Sequence, residues 1–122
     1  MQTSFKRAGI IGVGLIGGSF AAALRQHALA DYLIGLDDQQ KTLDEALKLG
    51  LIDEGSVHPA ALINCDLIFL AVPVSQTEAV LESLLPYLSP TALVTDAGST
   101  KQDVIEAARR ALGERFVHFV PG

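Results

Sequence analysis

Six consecutive residues, Gly12-Val13-Gly14-Leu15-Ile16-Gly17, carry the clearest chemical signal in the chain, a G-x-G-x-x-G string. It follows a short apolar run of strand length and leads directly into a helix, so its glycines fall at a strand-to-helix turn. There Gly12 permits a tight turn, Gly14 lets a pyrophosphate approach the backbone, and Gly17 brings helix and strand together. Unpaired N–H groups and the positive dipole end of the helix then hold the phosphates. Leu15 and Ile16, between the glycines, belong to the same cofactor-binding set. Asp37 ends the next strand, twenty residues after Gly17, which is the spacing the dinucleotide fingerprint requires. Its carboxylate is expected to accept hydrogen bonds from the adenosine ribose hydroxyls. A carboxylate there repels the 2′-phosphate of NADP, and no arginine follows to clamp that phosphate. Asp38 adds a second negative charge and Lys41 is the only nearby cation. The expected cofactor is therefore NAD rather than NADP. The bland account, a glycine-rich turn that merely packs a βα unit, explains the glycines but not the acid at that spacing.

Two further segments sit where a site would be. Ala71-Val72-Pro73-Val74 closes another strand, and Val72 and Pro73 either form a flat apolar wall against the cofactor or simply stop the strand. Thr95-Asp96-Ala97-Gly98-Ser99-Thr100-Lys101 closes the next. Ser99 or Thr100 suits a helix N-cap, whereas Lys101 in a first helical turn opposes the dipole, so the crowd of polar side chains suggests a site. The histidines give less. His27, His58 and His118 show no metal-ligand spacing, so no metal site is expected. Cys65 leads into a buried strand and reads as core filler.

The elements that must position these residues alternate regularly. Strand-length apolar runs occupy Ala8–Val13, Tyr32–Leu36, Asp66–Val72, Ala92–Thr95 and Phe116–Val120. Helical spacing appears in Lys41–Gly50, in Leu81, Leu84, Leu85 and Leu88 up to Pro86, and in Val104, Ala107, Ala108 and Ala111. Ser75-Gln76-Thr77-Glu78 reads as a capping box, and Asp37 or Asp38 as a cap for the second helix. Such alternation predicts an α/β, Rossmann-type, doubly wound parallel sheet with strand order 2-1-3-4-5 and a ligand crevice at its carboxyl edge. Leu51–Asn64 has room for a short extra edge strand beyond the second.

Composition bounds the rest. The 122 residues are one domain's length, 49% hydrophobic and 19% charged, which excludes a disordered or fibrous chain. Nine Lys+Arg against fourteen Asp+Glu give a net charge of −5, which argues against nucleic acid or an anionic membrane as partner. Ala8–Leu24 imitates a signal peptide, but five of its seventeen positions are glycine and it is too short to span a bilayer. A single cysteine fits a reducing cytoplasm.

Taken together, Gly12–Ser19 (GVGLIGGS), Gly35–Asp37, Ala71–Val74 (AVPV), Asp96–Lys101 (DAGSTK) and Arg115–Gly122 (RFVHFVPG) resemble the amino-terminal part of the prephenate and arogenate dehydrogenases of tyrosine biosynthesis. The resemblance implies oxidative decarboxylation of a cyclohexadienyl acid, a small-molecule substrate, with hydride passing to the nicotinamide. It makes Ser99 the catalytic serine that helps organise the substrate hydroxyl and a catalytic histidine. In the family that histidine lies in an H-P-x-A-G segment following the one that ends here at Gly122. A helical second domain supplies substrate-binding and homodimer contacts. Residues 1–122 then correspond to the dinucleotide-binding domain alone, expected to be inactive by itself. Two rival functions remain: another nicotinamide-dependent dehydrogenase or reductase on the same fold, and a non-catalytic NAD-sensing module. A sensor has no use for D-x-G-S-x-K beside the nicotinamide, and that motif discriminates.

Overall fold

Strands with nearly continuous apolar runs are those buried on both faces, and a parallel sheet clad by helices is where such strands belong. The computed structural model describes residues 5–89, 92–96 and 119–120. Strand β1 (Phe5–Ile11) leads to helix α1 (Leu15–Gln26), then β2 (Ala30–Leu36), α2 (Gln40–Lys48) and β3 (Glu54–Ser56). A 3₁₀ turn at Pro59–Leu62 precedes β4 (Leu67–Leu70) and α3 (Val74–Leu84), and β5 (Leu93–Asp96) and β6 (Phe119–Val120) complete the described strands. All pairings are parallel, in the order β3-β2-β1-β4-β5-β6. This is the expected doubly wound order, with the extra edge strand lying beyond the second as Glu54–Ser56. The reading of a third periodic helix around Val104–Ala111 lies outside the described residues.

Side-chain alternation divides the core between the two faces of the sheet. Ala8 and Ile10 of β1, Leu33 of β2 and Leu67 and Phe69 of β4 pack with Ala21, Leu24, Leu43 and Ala46 under α1 and α2. Ile11, Ile34, Leu36, Ile68 and Leu70 face the other way, against Leu81 and Leu84 of α3. The stacked rings of Phe20 and Phe69 pin α1 to β4. Cys65 is buried in the α3-side cluster, as expected of core filler, and burial pushes its thiol pKa up to about 11.

Three local readings need correction. β1 ends at Ile11, not Val13, because Gly12 turns the chain with φ +86°. The capping box does not form. Pro73 is the N-cap, so α3 begins at Val74 and Ser75 lies inside its first turn. Proline's preset φ starts the helix directly after it, and its carbonyl accepts from the Gln76 N–H at 2.9 Å and the buried Thr77 hydroxyl at 3.4 Å. Helix α2 is entered through Gln39 without a side-chain cap. Asp37 instead accepts the Gln39 N–H, because its carboxylate is held toward the glycine turn.

Candidate functional site

β1 lies between β2 and β4, and the chain leaves these neighbours toward opposite faces of the sheet. A crevice therefore opens at the carboxyl ends of the three strands, the place where such sheets bind ligands. The glycine turn sits in it. The Gly12 N–H donates to the Leu36 carbonyl at 2.8 Å on one side, and the Ala71 N–H donates to the Ile11 carbonyl at 2.8 Å on the other. Gly12 is squeezed as well as turned, because a Cβ there would meet the Ala71 carbonyl oxygen at 2.6 Å. A Cβ on Gly17 would collide with the Gly12 carbonyl oxygen. Gly17 thus closes α1 onto the turn, in the role expected of it.

Gly14 differs from both. Nothing lies within 4 Å of the place its Cβ would take. It is the N-cap of α1, which has neither a side-chain cap nor an acidic residue in its first turn. The first helical N–H groups thus have no side-chain cap, and the space beside the N-cap is open. Leu15 and Ile16 supply that first turn, with side chains 89% and 58% exposed, so their contribution to a ligand is backbone.

Asp37 stands beside the turn, half-buried just past the end of β2. Its Oδ2 accepts the Val13 N–H at 2.9 Å and its Oδ1 the Gln39 N–H at 2.9 Å. Beside the turn and the acid lies a cavity of about 440 Å³. Gly12, Gly14, Asp37, Asp38, Val72 and Pro73 all line it, so the structure brings these site residues together. Pro73 starts α3, as the strand-stop reading expects, and Val72 and Pro73 also line the cavity. Leu15, Ile16 and Gly17 flank the cavity's glycine end without lining it.

The sequence reading missed the remaining walls. Val57 and Pro59 close one side, and Gln76, Val80 and Ser83 close another. The last three are spaced four and three apart, one stripe of α3 beside its core-facing Leu81 and Leu84. That spacing was the available signal. Ser99 lies outside the described residues. Its segment begins at the carboxyl edge, where β5 ends with Asp96 in register with Leu70.

The profile of a family described as "Prephenate dehydrogenase, nucleotide-binding domain" matches residues 20–122. The prephenate dehydrogenase of Bacillus subtilis (strain 168) is 36% identical over 115 residues, 93% of this chain and 31% of that protein. The crystal structure of prephenate dehydrogenase from A. aeolicus, in complex with hydroxyphenyl propionate and NAD+, superposes with a TM-score of 0.89 at 32% identity, covering 99% of this chain and 42% of that one. Synechocystis arogenate dehydrogenase gives a TM-score of 0.81 at 39% identity, over 88% of this chain and 38% of that one. The chain thus spans about a third of the length of the curated relatives it matches. With a glycine-rich turn, an acid at the end of the next strand and a family match over most of its length, the chain belongs to the nucleotide-binding domain family of the prephenate dehydrogenases.

Proposed function

We propose that this domain binds NAD and serves the oxidation of prephenate or arogenate, with carbon dioxide lost as the ring becomes aromatic. The observation that carries the reading is the open space at Gly14, the N-cap of a helix without a side-chain cap, which lines one cavity together with the Asp37 carboxylate. The residues fit the cofactor piece by piece. The turn from Gly12 to Gly17 meets the pyrophosphate, Asp37 meets the ribose, and Val72 and Pro73 offer an apolar wall. When bound, NAD supplies the hydride acceptor. The chain's own contribution is to hold and orient it at the carboxyl edge of the sheet, where β5 ends at Asp96, three residues before Ser99. In this proposal Ser99 organises the substrate hydroxyl, residues outside this domain hold the ring, and the parent enzyme is a cytoplasmic homodimer.

Calorimetric titration with NAD tests the reading directly. One dinucleotide bound per chain, with binding lost on mutation of Gly14, is the expected result. Absence of binding by the folded protein overturns it.

A further inference from the structure

Asp37 meets the ribose in the reading above, yet both of its oxygens are already engaged by the chain itself. One accepts the Val13 N–H and the other the Gln39 N–H, each at 2.9 Å. Val13 is 24 residues away in sequence and lies between the two glycines that shape the phosphate site. Its side chain is only 4% exposed, packed in the cluster beneath α1 and α2. Asp37 therefore grips the one residue of the turn that is also anchored in the core. The neighbouring ties are backbone bonds at the turn's edges, Gly12 to Leu36 and Gly18 to Gly14.

We propose that Asp37 is a positioning residue for the phosphate-binding turn as well as a contact for the ribose. By holding the Val13 N–H it sets the glycine turn before any ligand arrives. The inference rests on the NAD reading of the site. The two roles are compatible, because an ionised carboxylate offers roughly four acceptor positions and the chain uses two. Carboxylate-to-backbone bonds are also among the stronger hydrogen bonds. Removing the carboxylate relieves repulsion of a 2′-phosphate and frees the turn at the same time. Variants at Asp37 therefore lose affinity for every dinucleotide rather than exchanging NAD for NADP.

A binding cycle separates the roles. Wild type and Asp37→Ala are titrated with NAD and with an NAD analogue whose adenosine ribose lacks both hydroxyls. If Asp37 acted only on the ribose, the two proteins would bind the analogue equally. The expected result is that Asp37→Ala binds the analogue roughly 10-fold more weakly than wild type does, the scale of one hydrogen bond to a charged group. Asp37→Asn, whose amide oxygen can still accept one N–H, should recover part of that loss. Hydrogen exchange at the Val13 amide of the ligand-free protein should quicken in Asp37→Ala while the Ile10 and Leu33 amides stay protected. If Ile10 exchange quickens too, the variant has lost its fold and Asp37→Asn carries the test. Equal affinity for the analogue with unchanged Val13 exchange overturns the proposal. Failure of wild type to bind NAD overturns the reading of the site instead, and Val13 exchange still decides whether Asp37 holds the turn.

Discussion

Gly14→Val separates the two tasks of the glycine-rich turn, folding and binding. The valine side chain enters space with no atom within 4 Å of its Cβ, on a backbone whose φ of −86° is negative. Its cost to folding is that of a poorer N-cap, about 1 kcal/mol. For a domain of this size that lowers Tm by roughly 4 °C. Binding suffers far more. The filled space is the one into which the first N–H groups of α1 open, and no side chain of that turn caps them. Losing two charge-assisted hydrogen bonds, at about 1.5–3 kcal/mol each, removes about 3–6 kcal/mol. NAD affinity should then fall by roughly 10²–10⁴. Calorimetry gives the affinity and a thermal melt gives the fold. Gly17→Ala is the contrasting variant, because its Cβ would collide with the Gly12 carbonyl oxygen and the fold itself should weaken. A folded Gly14→Val protein with wild-type NAD affinity would refute the placement of the phosphates on this turn.

Three further outcomes follow from particular groups. NAD should bind at least about 10-fold more tightly than NADP, since Asp37 and Asp38 line the cavity where a 2′-phosphate would approach; equal calorimetric affinities would contradict this. Cys65, 1% exposed with its thiol pKa raised to about 11 from an ordinary 9.0, should resist thiol reagents in the native state. Folding holds that thiol neutral, so stability should fall as pH rises from about 9 to about 11, and denaturant titrations of Cys65→Ala should lose that slope. On the proposal that residues outside this domain hold the substrate ring, the 122-residue chain by itself should bind NAD without forming NADH from prephenate or arogenate. Absorbance would detect turnover, which would place the missing base within these residues.

The parts of the site legible from sequence are those whose constraint is local. A turn that needs positive φ at Gly12 and no side chain at Gly17 can be met only by glycine, so the requirement is written in the residues themselves. Asp37 was legible because strand and helix lengths fix its distance from the turn. Strands β1, β2 and β4 stood out because burial on both faces makes them continuously apolar. β3, three half-buried residues at the sheet's edge, has no such run. What failed depended on distant partners. The cap expected at α2 was not there because Val13, far back in the chain, claims the Asp37 carboxylate. The α3 wall was hidden because the core stripe of the same helix dominates its pattern.

The charge balance raises a sharper question for the proposed reading, how a chain of net charge −5 would hold a doubly anionic pyrophosphate. Among the described residues lining the cavity there is no lysine or arginine, while two aspartates are present. The attraction must therefore come from the backbone, through the uncapped N–H groups of α1 and its dipole. Such partial charges act within the first turn, well inside a screening length of about 8–10 Å, so the chain's surface charge is damped where they are strongest. Asp37 reaches the turn itself, where its Oδ2 accepts the Val13 N–H at 2.9 Å, so part of its charge is engaged by the backbone. On the proposed reading, backbone donors of the turn meet the pyrophosphate and Asp37 meets the neutral sugar that follows it. A 2′-phosphate on that sugar would set negative charge against the acids, and the cavity offers no side-chain cation to offset it. On the proposed reading, selectivity for NAD and the means of holding it are two consequences of one arrangement, set where Gly12 turns the chain between β2 and β4.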